Sequence, residues 1–379
     1  MNIGIDIRHL AAPDPSGVGS YTLHLIRQMA LVAPQTRFLL FASGSSRALA
    51  YLPDFSHPNI AIKTVRLPNR VISSLLKFPA GPALEDLIDE KPDVWLFPNI
   101  NMIRTRLPYA ITVHDVSFKI YKEFFRRKDR AWHRVANVNR LLDQAACILA
   151  VSESTKQDLE HLLNVPKDKI HVVYHGVEEH FHPNEELQDK NFLQKHGIDF
   201  PYLLTLSTLE PRKNIESVIE AYDAWRSNST PHHSHHLVIA GGRGWKTDGI
   251  DTVLRQAKHK DDIHLIGYVP ERHKPALYRH ATAFLFPSFY EGFGLPALEA
   301  MACGTPVITS FTGSMPEVVN DAAIMIDPYN VTDLEQALGQ VVDLPLREIL
   351  RQRGLQRARQ FTWEKTAHKT LEALQKIQK

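Results

Sequence analysis

The sequence predicts an α/β protein made of two Rossmann-like, doubly wound domains. Three observations point there. The chain has 379 residues, which at roughly 150 per domain allows about two, each with its own core. Short runs of Val, Ile and Leu alternate with helix-period segments along nearly the whole length, as parallel sheets covered on both faces require. The alternation lapses over 176–200, a stretch rich in charge, His and Asn that contains Pro183 and marks a linker.

Composition narrows the class further. Apolar residues make up 44% and charged residues 23%, which excludes disordered, collagen-like and coiled-coil chains. Lys+Arg 44 against Asp+Glu 42 leaves +2, so bulk charge recommends no nucleic-acid partner. Cys147 and Cys303 stand far apart, outside any CxxC pattern, which excludes a disulfide framework and a cysteine zinc site and fits a reducing, cytoplasmic compartment. No apolar run approaches the roughly 18 residues that a bilayer span needs, and the opening MNIGIDIRHL is not a secretion signal.

Taken in order, strands are expected at Asn2–Ile7, Arg37–Ala42, Ile60–Arg66, Val94–Phe97, Ala110–His114, Cys147–Val151 and His171–Tyr174, because each is a short β-branched or aromatic run bounded by turn residues. Helices are expected at Val18–Val32, Lys128–Ala145 and Glu153–Leu163, the last with Ser152 as N-cap. The second half repeats the grammar, with strands at Tyr202–Leu206, Leu237–Ala240, Ile263–Tyr268, Ala283–Phe286, Pro306–Thr309 and Ala323–Ile326. Beyond Pro345 the chain turns helical, and Thr362 offers an N-cap for a last helix. The expected division is 1–185, 186–355 and a terminal helix, 356–379, that crosses back to the first domain. Ligands of such sheets bind at the carboxyl ends of the strands, so function is expected in a cleft shared by the two domains.

Two segments carry chemistry. The strand Ala283–Phe286 runs into Glu291, Gly292, Phe293, Gly294, Leu295, Pro296 and, one helical turn on, Glu299. The glycines permit close backbone approach, Pro296 suits a first helical turn, and the N–H groups of a helix start face an anion or sugar hydroxyls. A glycine-rich turn with solvated glutamates would read the same locally. At the end of the second domain's first strand, Glu210-Pro211-Arg212-Lys213-Asn214 sets two adjacent cations at a sheet's carboxyl edge, where they could neutralise a diphosphate without metal, or stand as a solvated basic turn.

In this order these segments closely resemble the GT-B glycosyltransferases of family 4, including bacterial mannosyltransferases of O-antigen and surface-polysaccharide synthesis. The resemblance covers nearly the whole chain. It includes Gly17-Val18-Gly19-Ser20-Tyr21, Thr112-Val113-His114-Asp115, Val151-Ser152-Glu153-Ser154, His175-Gly176-Val177, the Glu-Pro-Arg-Lys-Asn turn and the pair Glu291 and Glu299 with seven residues between them. The resemblance implies an acceptor-binding first domain and a second domain that binds a nucleotide sugar. Arg212 and Lys213 would bind the donor diphosphate and Glu299 the ribose. Glu291, with the backbone of Gly292, Phe293, Gly294 and Leu295, would grip the sugar or its phosphate. His114 would lie near the transferred hexose with Asp115 behind it, and Gly17 and Gly19 would close over the phosphates or the acceptor. It also implies retention of anomeric configuration by front-face transfer, with no covalent nucleophile and no metal cofactor. The favoured donor is GDP-mannose and the acceptor a saccharide or lipid-linked saccharide. A UDP-sugar donor and a non-catalytic nucleotide-sugar-binding protein stay open.

Other features read more blandly. Gly17-Val18-Gly19 invites a dinucleotide-cofactor reading, but Thr22 holds the third glycine position and no acid ends the second strand. Gly241-Gly242-Arg243-Gly244 reads as a strand-exit turn, the tract Pro231–His236 as a surface loop, and Cys303 as packing. Arg126, Arg127, Lys128 and Arg130, interleaved with aromatics, fit either a solvated helix face or a peripheral contact with the cytoplasmic membrane surface.

Overall fold

The computed structural model describes residues 1–12, 17–78, 81–228 and 234–377, the side chains of residues 129–131, 133 and 134 excepted. Two compact units emerge, Met1–Gly176 with Trp363–Lys379, and Val177–Thr362.

The first unit contains β1 (Asn2–Asp6), β2 (Arg37–Ser43), β3 (Ile60–Val65), β4 (Val94–Phe97), β5 (Tyr109–Val113), β6 (Cys147–Ala150) and β7 (Ile170–Val172). They form one parallel sheet in the order β3-β2-β1-β4-β5-β6-β7. Its inner strands are apolar without alternation because both faces are buried. Ile3, Ile5, Phe38 and Leu40 pack on one side with the helix Gly17–Val32, and Phe41, Trp95, Phe97 and Ile111 pack on the other. The last helix, Trp363–Ile377, completes the first of these layers through Trp363, Ala367, Leu371 and Leu374.

The second unit contains β8 (Tyr202–Leu206), β9 (His236–Ala240), β10 (Ile263–Gly267), β11 (Ala283–Phe286), β12 (Val307–Ser310) and β13 (Ala323–Ile326), parallel in the order β10-β9-β8-β11-β12-β13. In both sheets the strand order reverses beside the first strand, between β1 and β4 and between β8 and β11. An open α/β sheet offers its ligand crevice at such a reversal.

Four expectations need correction. The helix expected over Lys128–Ala145 is two helices, Arg127–Ala136 and Val138–Gln144, broken at Asn137, whose φ of 50° lies in the left-handed region that Asn tolerates. The stretch 176–200 is not linker throughout. It holds the helix Leu187–Lys195, which buries Phe192 and Leu193 and ties down through a buried Asp189–Arg279 ion pair at 2.7 Å. The units divide at 176/177 and not at 185/186. The second division falls at 362/363, because the helix Leu344–Ala358 runs unbroken through 355/356 and sets Gly354 where a Cβ would come within 3.2 Å of Met301. Within the second unit the two ends of the chain segment run side by side, the Val177 N–H donating to the Phe361 carbonyl at 3.2 Å.

Gly241 explains the glycine-rich turn after β9. Its φ is 138°, and a Cβ there would stand 1.7 Å from the Ser207 carbonyl oxygen, so the turn is built for close packing on the exit of β8. Of the histidine tract, Pro231, His232 and His233 lie outside the described residues, and the His236 ring stacks on Phe200 at 3.9 Å. Cys303 is buried.

Candidate active site

β8 and β11 are neighbours at the reversal of the second sheet, and the segments leaving them meet. After β8, Pro211 opens a single helical turn, Pro211–Lys213, which Asn214 ends in the left-handed region at φ 57°. The Asn214 amide pins that turn to two other strand exits, donating to the carbonyls of Pro287 at 3.2 Å and Pro328 at 2.7 Å. From the loop after β11, the Phe289 N–H donates to the Arg212 carbonyl at 2.9 Å. The Asn214 side chain and the Phe289 N–H thus fix the backbone of this turn.

Both cations then converge on one carboxylate. Arg212 Nη1 lies 3.0 Å from Glu291 Oε2, and Lys213 Nζ lies 2.5 Å from Glu291 Oε1. Arg212 also donates from Nη1 to the Tyr290 carbonyl at 3.0 Å and from Nε to Glu210 Oε1 at 3.1 Å. Lys213 sits 5.0 Å over the Phe286 ring. The Glu291 backbone is held independently, its carbonyl accepting from Ser314 N–H at 3.1 Å and Oγ at 3.0 Å. Gly313 allows this approach, since a Cβ at its φ of 59° would meet that carbonyl at 2.7 Å.

The electrostatics follow from burial. Burial pushes the Glu291 carboxyl up, but Arg212 and Lys213 more than offset it and hold it below the ordinary value. Lys213 is pulled below the ordinary ammonium value by burial and by Arg212, with Glu291 opposing. The cluster is a desolvated arrangement of two cations and two carboxylates, able to exchange a protein carboxylate for an incoming anion.

The turn from Gly292 leads through Gly294, at φ 93°, into the helix Leu295–Ala302 with Pro296 in its first turn. A side chain at Gly294 would collide with Met315, its Cβ falling 1.9 Å from Cε. The Phe293 ring packs edge-on against Phe361 at 5.8 Å. Glu299 belongs to a second network, in which the Tyr278 hydroxyl donates to its Oε2 at 3.0 Å. Burial raises the Glu299 carboxyl, with Lys274 opposing, and Lys274 is itself paired to Glu271 at 2.7 Å. Tyr278, Lys274 and Glu271 are site residues that the sequence reading missed. Their one signal is position, a Pro-Glu-x-x-Lys run just after the β10 exit.

His114, Asp115, Gly17 and Gly19 belong to the first unit. His114 follows β5, and its Nε2–H donates to the Pro98 carbonyl at 2.8 Å. Burial holds its pKa below the ordinary value. Asp115 accepts from the N–H of Ser117 at 2.9 Å and its hydroxyl at 2.5 Å, so its hydrogen bonds close the next turn. Gly17 opens the helix Gly17–Val32, with open space where a Cβ would stand, and Gly19 is buried one half-turn on. His114 touches residues outside the expected set. Its ring meets Tyr21 at 4.8 Å and His175 at 5.5 Å, and Trp363 stacks on His24 at 5.4 Å. Arg126, Arg127 and Lys128 are exposed, as are Trp132 and Val135, while the Arg130 side chain lies outside the described residues. Among the described residues no group of three His, Cys, Asp or Glu is placed to hold a metal, and no helix is long and apolar enough to cross a membrane.

The chain is similar to known proteins. Residues 15–181 match the family described as Glycosyltransferase Family 4, and residues 188–361 the family Glycosyl transferases group 1. The chain is 32% identical over 370 residues to O-antigen chain mannosyltransferase B of Escherichia coli, covering 94% of this chain and 95% of that protein. The chain belongs to the family 4, group 1 glycosyltransferases. Solved structures agree on the fold of these enzymes. Sucrose-phosphate synthase from Thermosynechococcus elongatus superposes with TM-score 0.76 at 19% identity over 99% of this chain and 98% of that one. Anabaena HepE in complex with UDP-glucose superposes with TM-score 0.73 at 16% identity over 99% and 100%. The glycosyltransferase expected from the motifs is thus the family found, with its GT-B pair of Rossmann-like units.

Proposed function

We propose that this glycosyltransferase transfers mannose from GDP-mannose to a saccharide acceptor, with retention of configuration. The observation that carries the reading is the convergence of Arg212, Lys213 and Glu291 at the strand reversal between β8 and β11. The name of the Escherichia coli relative supports mannose. In the ligand-free arrangement Glu291 occupies both cations. A donor diphosphate takes its place beside Arg212 and Lys213, and the freed Glu291 carboxylate accepts hydrogen bonds from sugar hydroxyls. As the glycosidic bond to phosphate breaks, negative charge grows on the leaving diphosphate. Preorganised Arg212, Lys213 and the N-terminus of the helix Leu295–Ala302 stabilise it. The departing phosphate oxygen takes the acceptor hydroxyl proton on the same face. Glu299, one turn into that helix, accepts from the ribose hydroxyls. This electrostatic route calls for no divalent cation, and turnover is expected to persist in chelator.

A thermal-shift series with GDP, UDP, ADP and their sugars, in chelator, tests the donor. A ligand specific for the native state stabilises by about 2.7 kcal/mol at a hundred times its dissociation constant. GDP and GDP-mannose should shift the transition and the others should not. A shift with UDP compounds alone overturns the mannose donor, and no shift with any overturns the donor site. Donor binding without transfer to any saccharide would make the chain a nucleotide-sugar-binding protein.

A further inference from the structure

The helix Asn69–Lys77 stands at the carboxyl edge of the first sheet. Its start is tied to two strand exits. The Ser43 hydroxyl, at the end of β2, donates to Asn69 Oδ1, and Asn69 Nδ2 donates to the carbonyl of Arg8, just beyond β1, at 3.0 Å. Its end is held by Arg104, whose Nη1 donates to the Phe78 carbonyl at 2.6 Å, and by Gly81, where a Cβ would fall 2.1 Å from the Leu75 carbonyl oxygen. Ile72 and Leu76, four residues apart, bury the inner side of the helix in the core beside Phe41 and Trp95. A second side carries Val71, Leu75 and Phe78, at i, i+4 and i+7, and here Val71 is 43% and Phe78 62% exposed. Leu67, just ahead of the helix, is 39% exposed. A third side carries Arg70 and Lys77, seven residues apart and both exposed, with exposed Arg66 leading into it. The segment 66–78 contains no Asp or Glu, and the acids that follow are engaged, Asp86 pairing with Arg106 and Glu85 accepting from the Arg106 N–H at 2.7 Å.

We propose that this helix seats the chain on an anionic phospholipid surface. A single exposed apolar side chain is ordinary, but an aliphatic and an aromatic side chain repeating on one helical side, flanked by three cations and no acid, match the two layers of a bilayer interface. Arg66, Arg70 and Lys77 meet the headgroup phosphates, their aliphatic stems lying along the interface, while Leu67, Val71 and Phe78 enter the acyl boundary. A polyanion in water, such as heparin, would satisfy the cations and leave those three apolar side chains uncovered. The helix is anchored to the exits of β1 and β2 through Asn69, so contact there holds the carboxyl edge of the first sheet at the headgroups, within reach of a saccharide carried on a lipid. The seat is independent of which sugar donor is used.

Flotation of the full chain with vesicles of phosphatidylcholine alone, and of phosphatidylcholine mixed with phosphatidylglycerol, tests the seat. The wild type should float with the anionic vesicles and not with the neutral ones, and less so in high salt. Arg70→Gln and Lys77→Gln should each weaken binding about fivefold, the loss of one cation near the surface. The double variant Val71→Ser/Phe78→Ser should weaken binding at least as much while eluting from heparin-agarose with the wild type. All four side chains are exposed, and far-ultraviolet circular dichroism checks that each variant keeps the fold. Binding of the wild type to neither vesicle, or to both equally, overturns the proposal. So does weaker binding in the Arg70 and Lys77 variants alone, which would make the helix a patch for soluble polyanions. The other exposed basic run, Arg126, Arg127 and Lys128, is the competing surface. Vesicle binding that is lost in Arg126→Gln/Arg127→Gln/Lys128→Gln and unchanged in every helix variant places the contact there and overturns the seat proposed for Asn69–Lys77.

Discussion

The two sheets use the same reversal of strand order for different electrostatics. At the exit of β1, Asp6 and Arg8 form a closed one-to-one pair, Nη2 to Oδ2 at 2.6 Å, with both side chains about 2% exposed or less. Around it the ionisable groups are imidazoles kept neutral. His9 is lowered to about 4 by burial, with Asp6 opposing, and burial also lowers His114 and His175. At the exit of β8 the cations are adjacent and share carboxylates, Glu291 taking both and Glu210 one. The first edge offers neutral hydrogen-bonding chemistry, suited to hydroxyls. The second stores desolvated positive charge behind a displaceable carboxylate, suited to a diphosphate. One fold carries two electrostatic arrangements by changing the residues at its strand exits.

The largest expected effect breaks the second edge. Arg212→Ala or Lys213→Ala removes a preorganised cation from the leaving diphosphate, a loss on the order of 3 kcal/mol of transition-state stabilisation, or more than a hundredfold in kcat. Steady-state transfer assays check it, with far-ultraviolet circular dichroism confirming that each variant still folds. Near-wild-type kcat in both variants would reduce the cluster to a structural ion pair.

Acid should act on the first edge before the second. The His9 pKa falls from 6.5 unfolded to about 4 folded, so its stabilisation is complete above 6.5 and is lost as pH falls toward 4, by up to about 3 kcal/mol. His114 and His175 act in the same direction, while Asp6 and Asp115 favour the charged forms of His9 and His114. Glu291 and Asp6, both held below ordinary carboxylate values, keep their contribution until lower pH. Trp95, Trp132 and Trp363 lie in the first unit and Trp225 and Trp245 in the second, so fluorescence of a Trp225→Phe/Trp245→Phe variant follows the first unit alone. Its urea midpoint should fall between pH 7 and 5 while far-ultraviolet circular dichroism still shows the second unit folded. Coincident loss of both would erase the contrast.

How far the sequence disclosed this contrast depended on range. Strands such as Val94–Phe97 and Ala283–Phe286 were legible because both their faces are buried, leaving an uninterrupted apolar run. The helix Leu187–Lys195 was not, because two buried side chains, Phe192 and Leu193, make no sustained period and its anchor, Arg279, lies 90 residues away. Arg212, Lys213, Glu291 and Glu299 were nominated by local pattern and family resemblance. That Glu291 bonds both cations, across 78 and 79 residues, is a tertiary fact. The Tyr278 partner of Glu299 is hidden for the same reason, and Asn137 conceals a helix break that only its left-handed backbone reveals.

The smallest effect probes a second contrast, inside the second unit. Glu291 is held below its ordinary value by two cations, whereas burial raises Glu299, with Lys274 and then the Tyr278 hydroxyl opposing. Tyr278→Phe removes that one donor and little volume. The charged carboxylate loses a hydrogen bond, so the Glu299 pKa should rise further and its capacity to accept from ribose hydroxyls should fail at a higher pH. Lys274 remains, which limits the loss to roughly 1 kcal/mol, a three- to tenfold weaker GDP affinity. Calorimetric titration with GDP across pH 5 to 8 checks both, and the shifted midpoint is the more telling readout, since a merely structural role for Tyr278 would weaken binding equally at every pH. An unshifted midpoint would mean that Glu299 does not titrate in donor binding, and the ribose role would pass from its charge to the helix backbone around it.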